Sequence, residues 1–432
     1  MHKLLRALTT GTVAATVAAT GLQAGTASAS VVQASNKPIA ITYAGFSSMN
    51  GLTPILNKLN KQYAGRYSFK STAYPYNNYA ALLSAAIAGG NTPDVFGASW
   101  TPSVYYAREG LELPIQPFVK AAGINTADFP SGMYGAPTLV NRVNYSIPLD
   151  AFGTALFYNK ALFKKAGLNP ADPPATGAQF VADALAMKKA GVKYPVIIGA
   201  DKTTQDFLYP SLVYQFGGVM GDPKTCGALF DSKAGIAAAT WEKDLTYKYK
   251  VAPTGPSVGE DLDEFGKGAV GMVMLPAINQ GGLLKDLGAN LGVAPLPKIG
   301  TANDKDFVGQ QYLWVFKTTA STTPQGAKGV AILLKAIYGQ ELKTIATQNG
   351  IIPTYSPALG AVKTMPFFAQ QDYMVQKGVI NPAIPNWGTV TGVPLYNNLD
   401  NVLLNKTSVS AGIHEAMVQT NELTATLPAC SD

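Results

Sequence analysis

The chain has 432 residues, too many for one ordinary hydrophobic core, so two domains are expected. Only 14% of its residues are charged, and the formal net charge of +7 comes from scattered lysines with no run longer than Lys164-Lys165 and Lys188-Lys189. Such pairs are solvated helix faces rather than a phosphate footprint, which excludes nucleic acid as a partner.

Lys3 and Arg6 give a basic start, and no further charge follows until Lys37. The Ala-, Thr-, Val- and Gly-rich stretch between them closes on Ala27-Ser28-Ala29, an A-x-A site. Residues 1–29 therefore read as a cleavable export signal and residues 30–37 as a polar leader. The stretch is too diluted by Thr and Gly to stay in hydrocarbon as an anchor. No Cys lies near the cut to carry a lipid, so the expected product is exported, periplasmic or extracellular, and soluble. Cleavage removes two basic residues and no acid, leaving 403 residues and a net charge of +5.

From Ile39 onward strands and helices alternate. Ile39-Ala40-Ile41-Thr42-Tyr43 is a β-run ended by Gly45, and Leu52, Ile55, Leu56 and Leu59 follow at helical spacing. Asn78 is placed to cap a helix striped by Tyr79, Leu82, Leu83, Ala86 and Ile87, which Gly89-Gly90 stops. Pro93-Asp94-Val95-Phe96 opens a buried strand. Thr154 to Phe157 predicts a strand, and Ala161, Leu162 and Ala166 mark a helix that Gly167 ends. A second helix is expected from Phe180 to Ala190 and a buried strand from Pro195 to Gly199. Val270 to Met274, Leu291 to Ala294 and Tyr312 to Phe316 read as strands. Pro324 starts a helix striped by Val330, Leu333, Leu334 and Ile337, which Gly339 ends. This alternation implies α/β lobes with mostly parallel sheets.

Catalytic parts are scarce. After the signal the one histidine is His414, expected at the surface or in packing, with no nucleophile near it in sequence. There is no G-x-S-x-G elbow, no phosphate-binding glycine loop and no metal-ligand spacing. The acidic group Glu260, Asp261, Asp263 and Glu264 is expected to serve a helix start. Cys226 and Cys430 lack the histidines of a zinc site and are expected to pair once exported.

Five segments resemble the extracellular solute-binding proteins of ABC importers, in the carbohydrate-binding, maltose-binding-protein-like branch. Gly89-Gly90-Asn91-Thr92-Pro93-Asp94-Val95 resembles the family's G-N-x-P-D-[VI] element. The run from Tyr158-Asn159-Lys160 to Ala166-Gly167-Leu168, with Pro173-Pro174-Ala175-Thr176 after it, resembles Y-N-K-x-L-F-x-K-A-G-L…P-P-x-T and is the most specific. Phe265 to Met272 resembles F-x-x-G-x-x-A-M, and Val293-Ala294-Pro295-Leu296-Pro297 follows at the expected interval. Gly350-Ile351-Ile352-Pro353-Thr354 resembles the late G-x-[IL]-P-[TV] turn.

The resemblance implies a two-lobed periplasmic-binding-protein type II fold, each lobe a β-sheet flanked by helices, with the ligand cleft between the lobes. Residues 38–149 plus 310–355 would form lobe 1, and residues 150–309 plus 356–432 lobe 2. Crossings are expected at 147–152, 308–311 and 353–357. The lobes would close on the ligand by hinge motion. The resemblance implies no cofactor, no metal and no catalytic residue. The implied partners are a sugar and the membrane permease subunits of an importer with its separate ATPase, served by a monomer.

A sugar offers ring faces to aromatic side chains and hydroxyls to amides and carboxylates. The ligand-binding candidates at the interlobe edges are therefore Phe46, Ser47, Trp100, Asp150, Phe152, Gln205, Asp206, Asn279, Gln310, Tyr355 and Trp387. Gln205 and Asp206 are expected, with Phe207, in the loop after the Ile197-Ile198 strand. Trp241 is expected in the core. Ile278 stands where many sugar binders carry a stacking tryptophan, and Phe152 replaces an acid of the maltodextrin branch. With few carboxylates among the candidates, a neutral ligand is favoured over a polyamine. A polyol phosphate or peptide ligand stays open, and so does a secreted glycoside hydrolase, for which Asp150 and Asp206 are the pair to test.

Overall fold

Two mixed sheets carry the chain. The computed structural model describes residues 37–46, 52–75, 78–99, 101–129, 134, 139–199, 202–254, 260–349, 351–380, 384 and 387–426. The expected signal peptide lies outside the described residues, as does the leader up to residue 36.

In the first sheet Ile39–Phe46 pairs in parallel with Tyr67–Tyr74 on one side and Val95–Ser99 on the other. Gly309–Phe316 lies antiparallel to Val95–Ser99, Ser146–Phe152 antiparallel to that strand, and Ile352–Pro353 forms the far edge. The helix Leu52–Gln62 buries Leu52, Ile55, Leu56 and Leu59, the stripe predicted from spacing alone. The helix Pro324–Ala336 covers the same sheet, and its Val330, Leu333 and Leu334 are fully buried. It ends in a π-turn, Ile337–Glu341, where Gly339 leaves helical geometry. The helix Tyr79–Ala88 departs from expectation: Asn78 makes no side-chain cap, and Leu82 is 39% exposed while Tyr79 and Leu83 are buried. Only one narrow stripe of this Ala-rich helix meets the sheet.

The second sheet has the order Leu291–Pro295, Thr154–Asn159, Val270–Pro276, Tyr194–Ile197. Gly177–Lys189 flanks it, started by a capping box in which Thr176 and Gln179 bond each other's backbone N–H. Both sheets belong to one compact unit that begins at Pro38.

The sheets are joined with almost no linker. Ser146–Phe152 belongs to the first and Thr154–Asn159 to the second, with Gly153 alone between them. A Cβ on Gly153 would collide with the Asp306 carboxylate and with Met374. This straight passage is why the sheets are mixed and not mostly parallel. Thr154–Asn159 leaves the crossing, whereas Val270–Pro276 and Leu291–Pro295 run back toward it, so both pair with it antiparallel. Among the second sheet's pairings only Tyr194–Ile197 with Val270–Pro276 is parallel.

Candidate functional site

Register places the C-terminal ends of Ile39–Phe46, Val95–Ser99 and Ser146–Phe152 beside the start of Gly309–Phe316, along the edge that leads to the crossing. A bulge between Gln311 and Tyr312 sets Gln311 opposite Asp150, and Asp150 opposite Pro353 on its other side. The Asp150 side chain is 0% exposed. Its Oδ1 accepts the Gln311 backbone N–H at 3.2 Å, while Oδ2 has no partner. Burial pushes this carboxyl up to about 7, and the Gln311 bond opposes the rise.

Three more polar atoms here are buried and unpartnered: the Tyr43 hydroxyl, Gln311 Oε1 and Thr354 Oγ1. Thr354 is held there by its N–H, which bonds the Leu149 carbonyl. The Tyr43 hydroxyl rests over Gly45 and Gly97, where any Cβ would strike it. Asp150 also raises the already buried phenols of Tyr43, Tyr312 and Tyr338, for which burial is the larger cause. Leaving a buried polar atom unpaired costs about 1–3 kcal/mol. Three of the four lie close in the sheet, since Gln311 and Pro353 flank Asp150 on neighbouring strands and Thr354 follows Pro353.

Aromatic rings stand on both sides of this floor. Tyr355 packs on Phe129 at 5.3 Å and edge-on against Tyr338 at 5.8 Å. Tyr338 in turn donates to the Pro148 carbonyl at 2.7 Å. Past the crossing, Phe152 stacks on Phe207 at 5.3 Å, and Phe207 contacts Phe307 at 5.2 Å. Gly309 leaves room for these rings, since a Cβ there would meet Phe207.

The structure therefore brings Asp150, Phe152 and Tyr355 to the junction of the sheets. Phe46 ends its strand at the same edge. Ser47 and Trp100 lie outside the described residues. Gln310 is buried and accepts the Tyr312 hydroxyl at 2.5 Å. Asn279 is half-buried, donates to the Pro276 carbonyl at 3.0 Å, and lines a 620 Å³ groove with Ile278, Leu262, Lys267 and Asp286.

Two expectations need correction. Gln205, Asp206 and Phe207 lie in the helix Lys202–Gln215 and not in a loop. Pro210 inside that helix hides it from a pattern reading, yet the buried Leu208, Tyr209, Leu212 and Val213 hold it. Gln205 turns into the second lobe, donating to the Gly199 carbonyl at 2.8 Å and to Glu242 Oε2 at 2.7 Å. Burial raises the Glu242 carboxyl to about 8. Trp387 is 1% exposed and packs over Gly221, beside Ile384, in the second lobe's core. Trp387 opens a short helix, Trp387–Val390, with Gly388 inside it.

His414 lies at the surface as read, whereas Trp241, expected in the core, is only half-buried. His414 is exposed and meets Asp231 at 2.8 Å, and Trp241 packs on Phe180 at 5.7 Å. Cys226 is disulfide-bonded, while Cys430 lies outside the described residues. Among the described residues no cluster of three His, Cys, Asp or Glu could hold a metal, and no helix is long and apolar enough to cross a membrane.

Sequence reading missed Tyr43, Thr354 and Asp306. Asp306 accepts the Thr154 N–H at 2.8 Å and lies 2.7 Å from the Ser211 hydroxyl, and burial raises it to about 7. Glycines at strand ends, Gly45 and Gly97, were the available signal for Tyr43.

Comparison with known proteins places these features. Residues 43–331 match the bacterial extracellular solute-binding protein family. A binding protein of Brucella abortus (strain 2308) is 24% identical over 274 residues, covering 60% of this chain, and the chain spans 63% of that relative's length. The sn-glycerol-3-phosphate-binding periplasmic protein UgpB of Agrobacterium fabrum (strain C58) is 25% identical over 345 residues, 76% of each chain. Among solved structures, the GacH receptor of Streptomyces glaucescens GLA.O, studied unliganded and with acarbose, superposes with a TM-score of 0.77 at 22% identity. That match covers 91% of this chain and all of the receptor. Maltose-bound MalE3 of T. maritima gives 0.77 at 19% identity over 89% of this chain and 100% of its own. UgpB of Mycobacterium tuberculosis with glycerophosphocholine gives 0.75 at 15%, over 90% and 98%. With the two-lobed α/β fold and a family match spanning most of its length, the chain belongs to the bacterial extracellular solute-binding proteins.

Proposed function

We propose that this chain is the substrate-binding subunit of an ABC importer, which captures a neutral mono- or oligosaccharide between its lobes and hands it unchanged to a membrane permease. The observation that carries the reading is the fold likeness, over their whole length, to receptors solved with acarbose and maltose. The junction supports it. Buried oxygens of Asp150, Gln311, Thr354 and Tyr43 suit a rim of hydroxyls, and Tyr355 would supply a ring face. Cleavage after Ala29 would release it as an exported, monomeric protein. Hinge closure about Gly153 would give a loaded form whose outer surface differs from the empty one, which a permease can recognise.

A second reading, a polyol phosphate ligand, is favoured by the UgpB relatives. One experiment addresses both. The mature protein is screened by thermal shift against neutral sugars and sn-glycerol 3-phosphate, because a ligand that binds only the native state raises its melting point. A positive ligand is then examined by small-angle scattering, and after long incubation by chromatography. The sugar reading expects compaction and recovery of intact sugar. Response to sn-glycerol 3-phosphate alone selects the second reading, and steady release of shorter sugars makes the chain a hydrolase.

A further inference from the structure

We propose that one face of the helix Lys202–Gln215 is the fulcrum of lobe closure, and that Phe207 and Ser211 on it are positioning residues that hold two passages between the sheets as a single pivot. The inference rests on the reading of the chain as a protein that closes on its ligand, and it names the groups about which the lobes would turn.

Phe207 and Ser211 stand one turn apart on the same side of the helix, and the Ser211 hydroxyl lies 2.6 Å from the Phe207 carbonyl. Each side chain touches both passages. On the first, Phe207 stacks on Phe152 at 5.3 Å, just before Gly153. The Ser211 hydroxyl lies 3.1 Å from the Thr154 hydroxyl, just after Gly153. On the second, the Phe207 ring meets Phe307 at 5.2 Å and fills the space that any Cβ on Gly309 would need. Ser211 there accepts the Phe307 N–H at 3.0 Å. Asp306 joins the two passages directly, accepting the Thr154 N–H at 2.8 Å and lying 2.7 Å from the Ser211 hydroxyl.

These ties select one kind of motion. Phe152 is paired with Gly309 in the first sheet, so the passages are also joined at that end. Sliding one passage past the other would break that pairing and the Ser211 contacts together. A turn confined to Gly153 on the first passage, and to the step from Val308 to Gly309 on the second, breaks neither. The Val308 N–H bonds the Val379 carbonyl at 2.9 Å, which leaves the freedom on the Gly309 side of Val308. All the side chains in the group are buried, so water does not replace a contact that is lost.

Spin labels are attached through Lys61→Cys, on the helix over the first sheet, and Lys188→Cys, on the helix beside the second, both exposed positions. Double electron–electron resonance then reads the distance between the lobes without ligand, with maltotriose and with sn-glycerol 3-phosphate. Otherwise unaltered protein is expected to give one narrow distance without ligand. Phe207→Leu and Ser211→Ala should each broaden it about twofold while near-UV circular dichroism stays native. Phe265→Leu, a buried change where the ring packs on Phe157, is the control and should lower stability without broadening the distance. An unchanged distribution in a folded Phe207→Leu or Ser211→Ala, or equal broadening in Phe265→Leu, overturns the fulcrum. If neither variant folds, hydrogen exchange of the wild type decides it. The Thr154 and Phe307 amides should stay protected with and without ligand, because a pivot keeps its contacts through the motion. Fast exchange of either amide in unliganded protein, or protection lost on binding, overturns the fulcrum. Shortening of the distance by sn-glycerol 3-phosphate and not by maltotriose leaves the fulcrum standing and overturns the sugar reading.

Discussion

The backbone N–H of Thr154 donates to the Asp306 carboxylate at 2.8 Å, although 152 residues separate the two. The other carboxylate oxygen lies 2.7 Å from the Ser211 hydroxyl, which also accepts the Phe307 N–H at 3.0 Å. Asp306 thus clamps the second lobe's first strand just beyond Gly153 to its helix Lys202–Gln215. Replacing Asp306 by Ala removes both bonds and strands a buried N–H, at an expected cost of about 3 kcal/mol. Asp306→Asn should cost less, about 1 kcal/mol, because burial already raises this carboxyl to about 7 and an amide keeps one acceptor. Urea unfolding of the two variants measures both, and equal losses would show that shape, not bonding, matters at this position.

Three buried acids set an unusual pH dependence. Asp150 and Asp306 rise to about 7 and Glu242 to about 8, from ordinary values of 3.8 and 4.5. Between those limits the folded protein keeps protons that the unfolded chain releases. Their contribution is therefore complete below the ordinary values and is lost as pH rises toward 7 to 8, with a slope of about 1.4 kcal/mol per pH unit for each group. The melting temperature should be higher at pH 5 than at pH 8, and Glu242→Gln should flatten the fall. A melting temperature that climbs steadily from pH 5 to pH 8 would contradict this account.

Ligand binding should run the other way. A sugar hydroxyl that donates to Asp150 favours the ionised carboxylate, so affinity should rise with pH through about 7. The groups facing Asp150 are the phenols of Tyr43, Tyr312 and Tyr338, all raised by burial and neutral throughout this range. Binding at pH 6 is expected to be about tenfold weaker than at pH 8, with proton release on binding. Calorimetry in two buffers of different ionisation enthalpy reads both quantities, and proton uptake would mean that the ligand accepts a bond from a protonated Asp150.

Cys226 has a buried side chain and a backbone φ of +58°, a conformation that a residue other than glycine adopts at a cost. Its disulfide partner is expected to be Cys430, the only other cysteine in the chain. Unreduced, denatured protein should show no reactive thiol, and reduction should lower stability by at most about 5 kcal/mol, the ceiling for so long a loop. Two reactive thiols per chain would rule the pairing out.

Local periodicity made the framework legible. Leu52, Ile55, Leu56 and Leu59 reveal their helix because residues three and four apart share a face, whereas the crossing at 147–152 was legible only through the resemblance to the family. The polar floor was legible only in part. Asp150 could be named from its place on the crossing, but Tyr43 looks like one more core residue and Thr354 like a turn residue. Their meaning comes from neighbours far along the chain, which no local window contains. Trp387 and Gln205 failed for the converse reason: prolines and glycines nearby suggested loops, and tertiary packing made helices of both segments.

The position of Gly309–Phe316, between Val95–Ser99 and Ser146–Phe152, bears on the order in which the protein can fold. The strands of the second sheet, from Thr154 to Pro295, are all made before Gly309, so that sheet can pair as soon as its own residues exist. The first sheet cannot. Its opening three strands pair directly with one another, but the slot between Val95–Ser99 and Ser146–Phe152 stays empty while the entire second sheet is synthesised. Long-range pairing of this kind is slow, because a large loop must close before any contact rewards it. Val95–Ser99 and Ser146–Phe152 are joined only through Gly309–Phe316, so the first sheet becomes continuous only after every strand of the second has been made.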